Sequence, residues 1–344
     1  MSARAHKEQF AKDLLDWYDA HARVLPWRVP PGEARRAEPY HVLLSEVMLQ
    51  QTTVAVVEKR FGEFLEQFPT IRALAEAPEA DVMAAWAGLG YYRRARSLHA
   101  CAKAVVDDHG GEFPQAEEDL KSLPGVGDYT SAAVAAIAFG QPAVVVDGNI
   151  ERVVARVETI TEALPKAKKA IKAAAAELMP TVRFGDYAQA LMDLGAGVCR
   201  PKAPNCLLCP VRRQCDVAGS PDAELLPKKA PKKPKKEVHG ILLVQRNAHG
   251  EVLCEDRGSE GLFAGMLGLP GGGWDGSPLP DGTGEPVGSF EHVLTHRRLK
   301  IDVVVPTGAA ITASRRWLAL EEARAAMPTL FKKALDVALS SDGS

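Results

Sequence analysis

Four cysteines crowd the stretch from Cys199 to Cys215, with Cys206 and Cys209 between them, in the order C-x6-C-x2-C-x5-C. Thiolates so close in sequence can close around one metal centre, and the loop that carries them must then fold about that centre. A structural zinc site usually shows two C-x2-C pairs set apart by a longer stretch. Here Cys206 and Cys209 form one such pair, and the uneven spacing suits a loop wrapped around a cubane iron–sulfur cluster better. Zinc stays open on spacing alone. A pair of disulfides is a third reading, disfavoured because nothing marks the chain as secreted. Cys101 and Cys254 lie far from the group and read as small apolar packing residues.

The first residues, MSARAHKEQF, lack an apolar leader core and run straight into an amphipathic stretch, so no signal peptide is expected. The longest apolar run, Ala132 to Phe139, is too short to span a bilayer and is stopped by Gly140 and Pro142. These features lead us to expect a cytoplasmic protein with no membrane partner. A net charge of −2 announces no polyanion, so any nucleic-acid surface must be a local patch. With 344 residues, 46% of them hydrophobic, the chain can build two domains with separate cores.

Residues 1–220 read as almost wholly helical, with apolar residues at helical spacing in Phe61, Phe64, Leu65 and Phe68 and again in Ile150, Val153, Val154 and Val157. Residues 221–237 contain LPKKAPKKPKKE, whose six lysines and three prolines cannot form a core. This reads as a solvated, extended linker able to touch phosphate as well. Residues 238–344 change pattern. HGILLVQ and EVLCEDR flank Asn247 to Gly250 like the arms of a hairpin, VVVP follows at 303–306, and a helical tail begins at Leu320. A smaller α+β domain is expected there.

Three segments carry residues suited to chemistry. In LPGVGDYTSAAVAAIAFG, 123–140, Gly125, Val126 and Gly127 make a tight loop that opens a helix, and residues 117–140 form a helix-hairpin-helix. Its backbone N–H groups suit a DNA phosphate irrespective of base sequence. In VVVDGNIERVVARVE, 144–158, Asp147 and Asn149 stand at a helix entrance. The plain reading is an N-cap; a carboxylate there also has its charged form favoured by the helix dipole, the form needed to face a developing cation. In PYHVLLSEVMLQQT, 39–52, Glu46 lies off the stripe of Leu43, Leu44, Val47 and Met48. It is either solvated or desolvated by apolar neighbours and kept protonated near neutrality. One carboxylic acid and one carboxylate are what glycosidic cleavage needs. Finally, Gly88-Leu89-Gly90-Tyr91-Tyr92 precedes Arg93, Arg94 and Arg96. That segment reads either as an aromatic wedge with phosphate-holding arginines or as a helix start with a solvated basic face. Arg200, Lys202, Arg212 and Arg213 add positive charge to the cysteine loop.

Taken in order, LPW (25–27), SEVMLQQT (45–52), GLGYYRRAR (88–96), LPGVGDYT (123–130), VDGNIERV (146–153), the cysteine loop, the lysine-rich segment and the C-terminal module resemble the adenine DNA glycosylases of the MutY type, within the endonuclease III superfamily. The resemblance runs nearly end to end. It implies a mainly α, two-lobed helix-hairpin-helix domain with an iron–sulfur loop at 199–215, followed by an α+β Nudix-like domain that recognises 8-oxoguanine. It implies Glu46 as general acid, Asp147 as stabiliser or trap of the sugar cation, and Asn149 as its support. Tyr129 stands where lyase relatives carry a catalytic lysine, which implies a monofunctional glycosylase. The resemblance further puts Trp27, Arg28, Leu49 and Gln50 at the adenine pocket, and Gln51, Leu89 and Tyr91 with the hairpin at the DNA. Cys199, Cys206, Cys209 and Cys215 become ligands of a [4Fe-4S] cluster.

Two departures stand out. The family's Phe-Ser-His lesion loop is here Leu294, Thr295 and His296, without the aromatic face, and RVPPGEARRAEP at 28–39 is a basic insert. The C-terminal module has a Gly-Leu-Pro-Gly-Gly-Gly stretch at 268–273 but no R-E-x-x-E-E box, which argues against a nucleotide pyrophosphatase. The expected substrate is duplex DNA with adenine opposite 8-oxoguanine or guanine, met by a monomer at the nucleoid. The competing readings are a bifunctional glycosylase/lyase and a non-enzymatic iron–sulfur DNA-binding protein.

Overall fold

The computed structural model describes residues 3–231, 234–258, 261–279, 286–294, 296–306 and 312–341. They form two compact units, Met1–Ala230 and Pro231–Ser344. The first unit is a succession of helices: α1 (Ala3–His21), α2 (Pro39–Leu49), α3 (Val54–Gln67), α4 (Ile71–Glu76), α5 (Glu79–Ala85), α6 (Arg93–His109), α7 (Glu117–Ser122), α8 (Asp128–Phe139), α9 (Gly148–Val157), α10 (Lys168–Glu177), α11 (Phe184–Asp193) and α12 (Asp222–Leu225). Among the described residues no helix is long and apolar enough to cross a membrane.

Helix α8 is the hub, and its composition is the reason. Ala132, Ala133, Ala135 and Ala136 carry so little side chain that α2, α7 and α11 can all pack against it, and the four alanines are buried. The approach is tightest at Gly185, where a β-carbon would lie 2.7 Å from the Ala136 carbonyl oxygen. A side chain there would push α11 away. Around this hub Phe61, Phe64, Trp86 and Tyr40 are fully buried, each contributing roughly 1.5–3 kcal/mol or more of burial energy.

Two local devices shape what the hub presents. Between α7 and α8 the chain turns at Gly125, whose φ of +75° and whose missing β-carbon, 2.4 Å from Ser97 Cβ if it existed, both demand glycine. After α11 the chain continues as a wider π-helical turn, Leu194–Val198. There Gly195 is pressed so close to the start of α9 that a β-carbon would meet Asn149 Cβ at 2.6 Å.

The segment expected as a linker, 221–237, is divided between the units. Asp222–Leu225 is helical, and Leu226 is buried with Val217 and Ala223. The Lys228 carbonyl accepts from Leu164 N at 2.8 Å, and Ala230 N donates to the Leu164 carbonyl at 3.2 Å. Its one stretch of apolar side chains thus finds a place on the helical unit, and Lys236 already belongs to a strand.

In the second unit β1 (Lys236–Leu243), β2 (Val252–Asp256), β3 (Leu267–Gly268), β4 (Gly271–Gly272), β5 (Gly288–Val293), β6 (Arg297–Val304) and β7 (Arg315–Leu318) form two sheets, ordered β4-β1-β6-β5 and β3-β2-β7. Helix α13 (Leu320–Ala326) packs on β2, and α14 (Thr329–Ser341) packs on β5 and β6. The hairpin expected from HGILLVQ and EVLCEDR, 239–257, closes only beside its turn, where Arg246 bridges Val252, Asn247 N donates to the Glu251 carbonyl and Leu253 N to the Gln245 carbonyl, both at 3.0 Å; beyond that β1 pairs in parallel with β6 and β2 pairs with β7. Both arms are apolar enough to be buried, and each finds its main partner elsewhere. The glycines at 268–273 serve packing. At Gly271 a β-carbon would lie 2.2 Å from the Ile241 carbonyl oxygen, and at Gly268 it would meet the Phe331 ring at 2.8 Å.

Candidate active site

A cleft of about 700 Å³ opens in the helical unit, lined by Glu46 from α2, Tyr129 from α8, and Asp147 and Asn149 from the start of α9. The two carboxylates, remote in the chain, therefore share one cavity. Trp27, Arg28, Leu49 and Gln50 line the same cavity.

Glu46 is only 6% exposed, because α2 is buried along nearly its whole length from Tyr40 to Met48. The solvated alternative is thereby ruled out. Burial pushes its carboxyl up to about 7; the hydrogen bond donated by the Tyr129 hydroxyl opposes that rise, the nearby Asp147 charge adds to it, and Arg28 opposes it again. Tyr129 itself is held well above its ordinary range, first by burial and then by the Glu46 charge, so its hydroxyl stays a donor.

Asp147 is the N-cap of α9 and also lines the cleft. One carboxylate oxygen accepts from Asn149 N at 2.9 Å and Ile150 N at 2.7 Å; the other accepts from the Asn149 side-chain amide at 2.9 Å. These are three N–H donors at a helix start, a setting made for negative charge.

Three buried charges went unnoticed in the sequence. Asp193, 3% exposed, accepts from Arg28 at 2.7 Å and from Arg23 at 2.6 Å, which turns the Arg28 guanidinium toward the cleft wall. Arg152 donates to Asn149 Oδ1 at 3.0 Å, to the Gly195 carbonyl at 2.6 Å and to the Cys199 carbonyl at 2.8 Å. Arg156, 2% exposed, donates to Cys199 Sγ at 3.2 Å and to the carbonyls of Arg200 and Leu226 at 2.8 and 3.1 Å. The signal was present: Arg152 and Arg156 are four apart on the face opposite Val153 and Val154, and Asp193 follows the apolar run Ala190-Leu191-Met192.

The four cysteines are not joined in disulfides, and all line one small hollow. Among the described residues no three His, Cys, Asp or Glu side chains converge closely enough to hold a single metal ion. The thiols ring a hollow instead, with a guanidinium N–H aimed at one sulfur. A polynuclear centre with one protein ligand per iron fits that donor set. Arg200, Lys202, Arg212 and Arg213 are exposed around it.

Beyond the cleft the picture is mixed. Gln51 and Tyr91 are exposed, Tyr91 at 60%, and both sit in left-handed conformations, φ +61° and +49°. Leu89 is buried, so it supports its loop from below and does not present a side chain. Val126 is buried too; at the hairpin it is the backbone beside Gly125 and Gly127 that is open, and the first turn of α8 has no side-chain cap. The expectation that Arg94 is free for phosphate is corrected, since its guanidinium is taken up by backbone carbonyls. In the second unit Leu294 packs partly on the core, its carbonyl accepting from Lys235 at 2.8 Å, and His296 is exposed. Thr295 lies outside the described residues.

Comparison with known proteins places the chain in a family. The family model of the HhH-GPD superfamily of base excision DNA repair proteins matches residues 44–181, and a NUDIX domain model matches 241–337. The human adenine DNA glycosylase is 35% identical over 95% of this chain and 73% of its own length. The chain belongs to the adenine DNA glycosylase family. Another member, from Mycolicibacterium smegmatis, is 40% identical over 58% of this chain and 66% of its own length. Among solved structures, a thermostable thymine-DNA glycosylase aligns over 63% of this chain and 98% of its own, at 30% identity and a TM-score of 0.56. An endonuclease III trapped on DNA shares the fold, at 23% identity and a TM-score of 0.52. The matched HhH-GPD region contains Glu46, Tyr129, Asp147 and Asn149, and the family's mainly helical domain with a Nudix-like module after it is the architecture seen here.

Proposed function

We propose that the protein is a monofunctional adenine DNA glycosylase that hydrolyses the N-glycosidic bond of adenine mispaired with 8-oxoguanine or guanine, in base excision repair. The observation that carries this reading is the shared cleft of Glu46 and Asp147, with Glu46 pushed up to about 7. Adenine is extruded from the duplex, which costs less at a mispair. Trp27, Leu49, Gln50 and Arg28 supply the walls for the base. Glu46, neutral in part near pH 7, gives its proton to the purine ring and makes it a better leaving group. Asp147, clamped by Asn149 and the α9 amides, offsets the positive charge growing on the sugar, or bonds to it until water arrives. Tyr129 donates to Glu46 and offers no amine, so no Schiff base forms and the strand is left uncut.

Gln51 and Tyr91 enter the duplex at the mispair, and the backbone around Gly125 and Gly127 holds a phosphate. Leu294, Thr295 and His296 of the second unit recognise the 8-oxoguanine. Cys199, Cys206, Cys209 and Cys215 hold a [4Fe-4S] cluster that ties the loop into one rigid piece and takes no part in the reaction. The protein works as a monomer at the nucleoid.

The test measures adenine release from duplexes with 8-oxoguanine, guanine or cytosine opposite, with and without alkali. Release opposite the first two, with strand scission after alkali alone, is expected. No adenine release overturns the reading. Scission without alkali, together with borohydride capture through a lysine, replaces it with a glycosylase/lyase.

A further inference from the structure

Arg94 differs from the arginines beside it. It is the second residue of α6, yet it turns inward. Its Nη1 donates to the carbonyls of Val47 and Met48 at 2.7 and 2.9 Å. Its Nη2 donates to the carbonyls of Leu89 and Gly90 at 2.9 and 3.1 Å and to Thr52 Oγ1 at 3.3 Å. The guanidinium carbon lies 5.4 Å from the Trp86 ring centre and 5.7 Å from that of Tyr91. These acceptors fall in two short runs. Val47 and Met48 are in the last turn of α2, where carbonyls have no onward helical partner, and Gln51 follows within a few residues. Leu89 and Gly90 immediately precede Tyr91. Gln51 and Tyr91 are the two exposed residues held at positive φ on this surface, a costly state for any side chain but glycine.

We propose that Arg94 is a positioning residue for duplex opening: one planar cation fastens the chain before Gln51 to the chain before Tyr91, so that the two residues act as a single rigid wedge. This rests on the reading of Gln51 and Tyr91 as the residues that enter the duplex. The fork of the guanidinium is essential, because its two terminal nitrogens serve different runs at once and also stack on the aromatic faces. A lysine ammonium keeps the charge but is a point donor and cannot span both.

Single-turnover adenine release by the full-length protein tests this on two duplexes. In one, adenine is stacked opposite 8-oxoguanine; in the other it faces an abasic analogue and is already loose. Arg94→Lys is expected to slow release at least about tenfold on the first and less than about threefold on the second. The 2-aminopurine fluorescence rise that reports base extrusion should fall in parallel on the first. Equal slowing on both duplexes, or none on the first, overturns the proposal. Should Arg94→Lys fail to fold by thermal melting, Thr52→Val, which removes one acceptor of the same guanidinium, replaces it; its smaller slowing must again be confined to the stacked duplex, and an equal effect on both overturns the proposal. Wild-type protein that releases adenine from neither duplex removes the proposed function, and this inference with it, which the wild-type control alone reveals.

Discussion

The body of α2 and the mouth of α9 each hold a carboxylate on the same cleft, and they treat it in opposite ways. Glu46 sits inside a helix buried on nearly all sides, where the Tyr129 phenol donates to it and its charged form has lost water. Asp147 sits at a helix start, where two backbone amides and one side-chain amide converge on it. The proposed chemistry needs an acid and an anion side by side, and it would draw both from one functional group by placing it differently within two helices.

Replacement of Asp147 by Asn breaks this contrast most severely. Asn caps a helix as well as Asp does, so the fold should survive while the charge is lost. Single-turnover adenine release is expected to fall on the order of 10³-fold with the melting temperature nearly unchanged. A large drop in melting temperature instead would assign Asp147 to capping alone. Glu46→Gln should cost about 10²-fold in release and abolish the fall in rate as pH rises through about 7, since the lost proton donor is what titrates there. An unchanged pH profile would place the acid elsewhere.

The same substitution sharpens the comparison through stability. Glu46 has its folded-state value raised from 4.5 to about 7, so the folded protein binds the proton more tightly than the unfolded chain. Its contribution is therefore most favourable below pH 4.5 and is lost as pH climbs to about 7. Glu46→Gln should accordingly gain up to roughly 3 kcal/mol at pH 8 and little at pH 4, measurable by urea melts at both. The smallest effect belongs to Tyr129→Phe. The phenol donates to Glu46 and favours its charged form, so its removal should move the alkaline limb of the rate profile upward, by less than about one unit, with the neutral-pH rate changing less than about tenfold. A downward shift would contradict the assigned direction of that hydrogen bond.

Much of this was legible in the chain. The periodicity of Ile150, Val153, Val154 and Val157 located α9, and Asp147 at its entrance followed. The apolar residues around Glu46 allow desolvation but leave solvation, the usual state of an isolated glutamate, as the plainer reading, because whether α2 is covered on its far side depends on α8, a long-range packing fact with no local signature. Arg94 was misread for the same reason: a basic cluster after two tyrosines looks solvated until the carbonyls of α2 arrive from elsewhere. The hairpin over 239–257 stays short because the rest of each arm pairs with β6 or β7, strands distant in sequence. Turn chemistry at Asn247–Gly250 fixes a reversal, not the identity of the partner strand.

The glycine at 195 constrains how such a cleft can change over time. Its backbone lies flush against Asn149, and any added atom would be transmitted to the Asp147 clamp. That wall is consequently frozen. Under the proposed function, a change of base would have to be accommodated where Leu49 and Gln50, both half-buried, line the cleft.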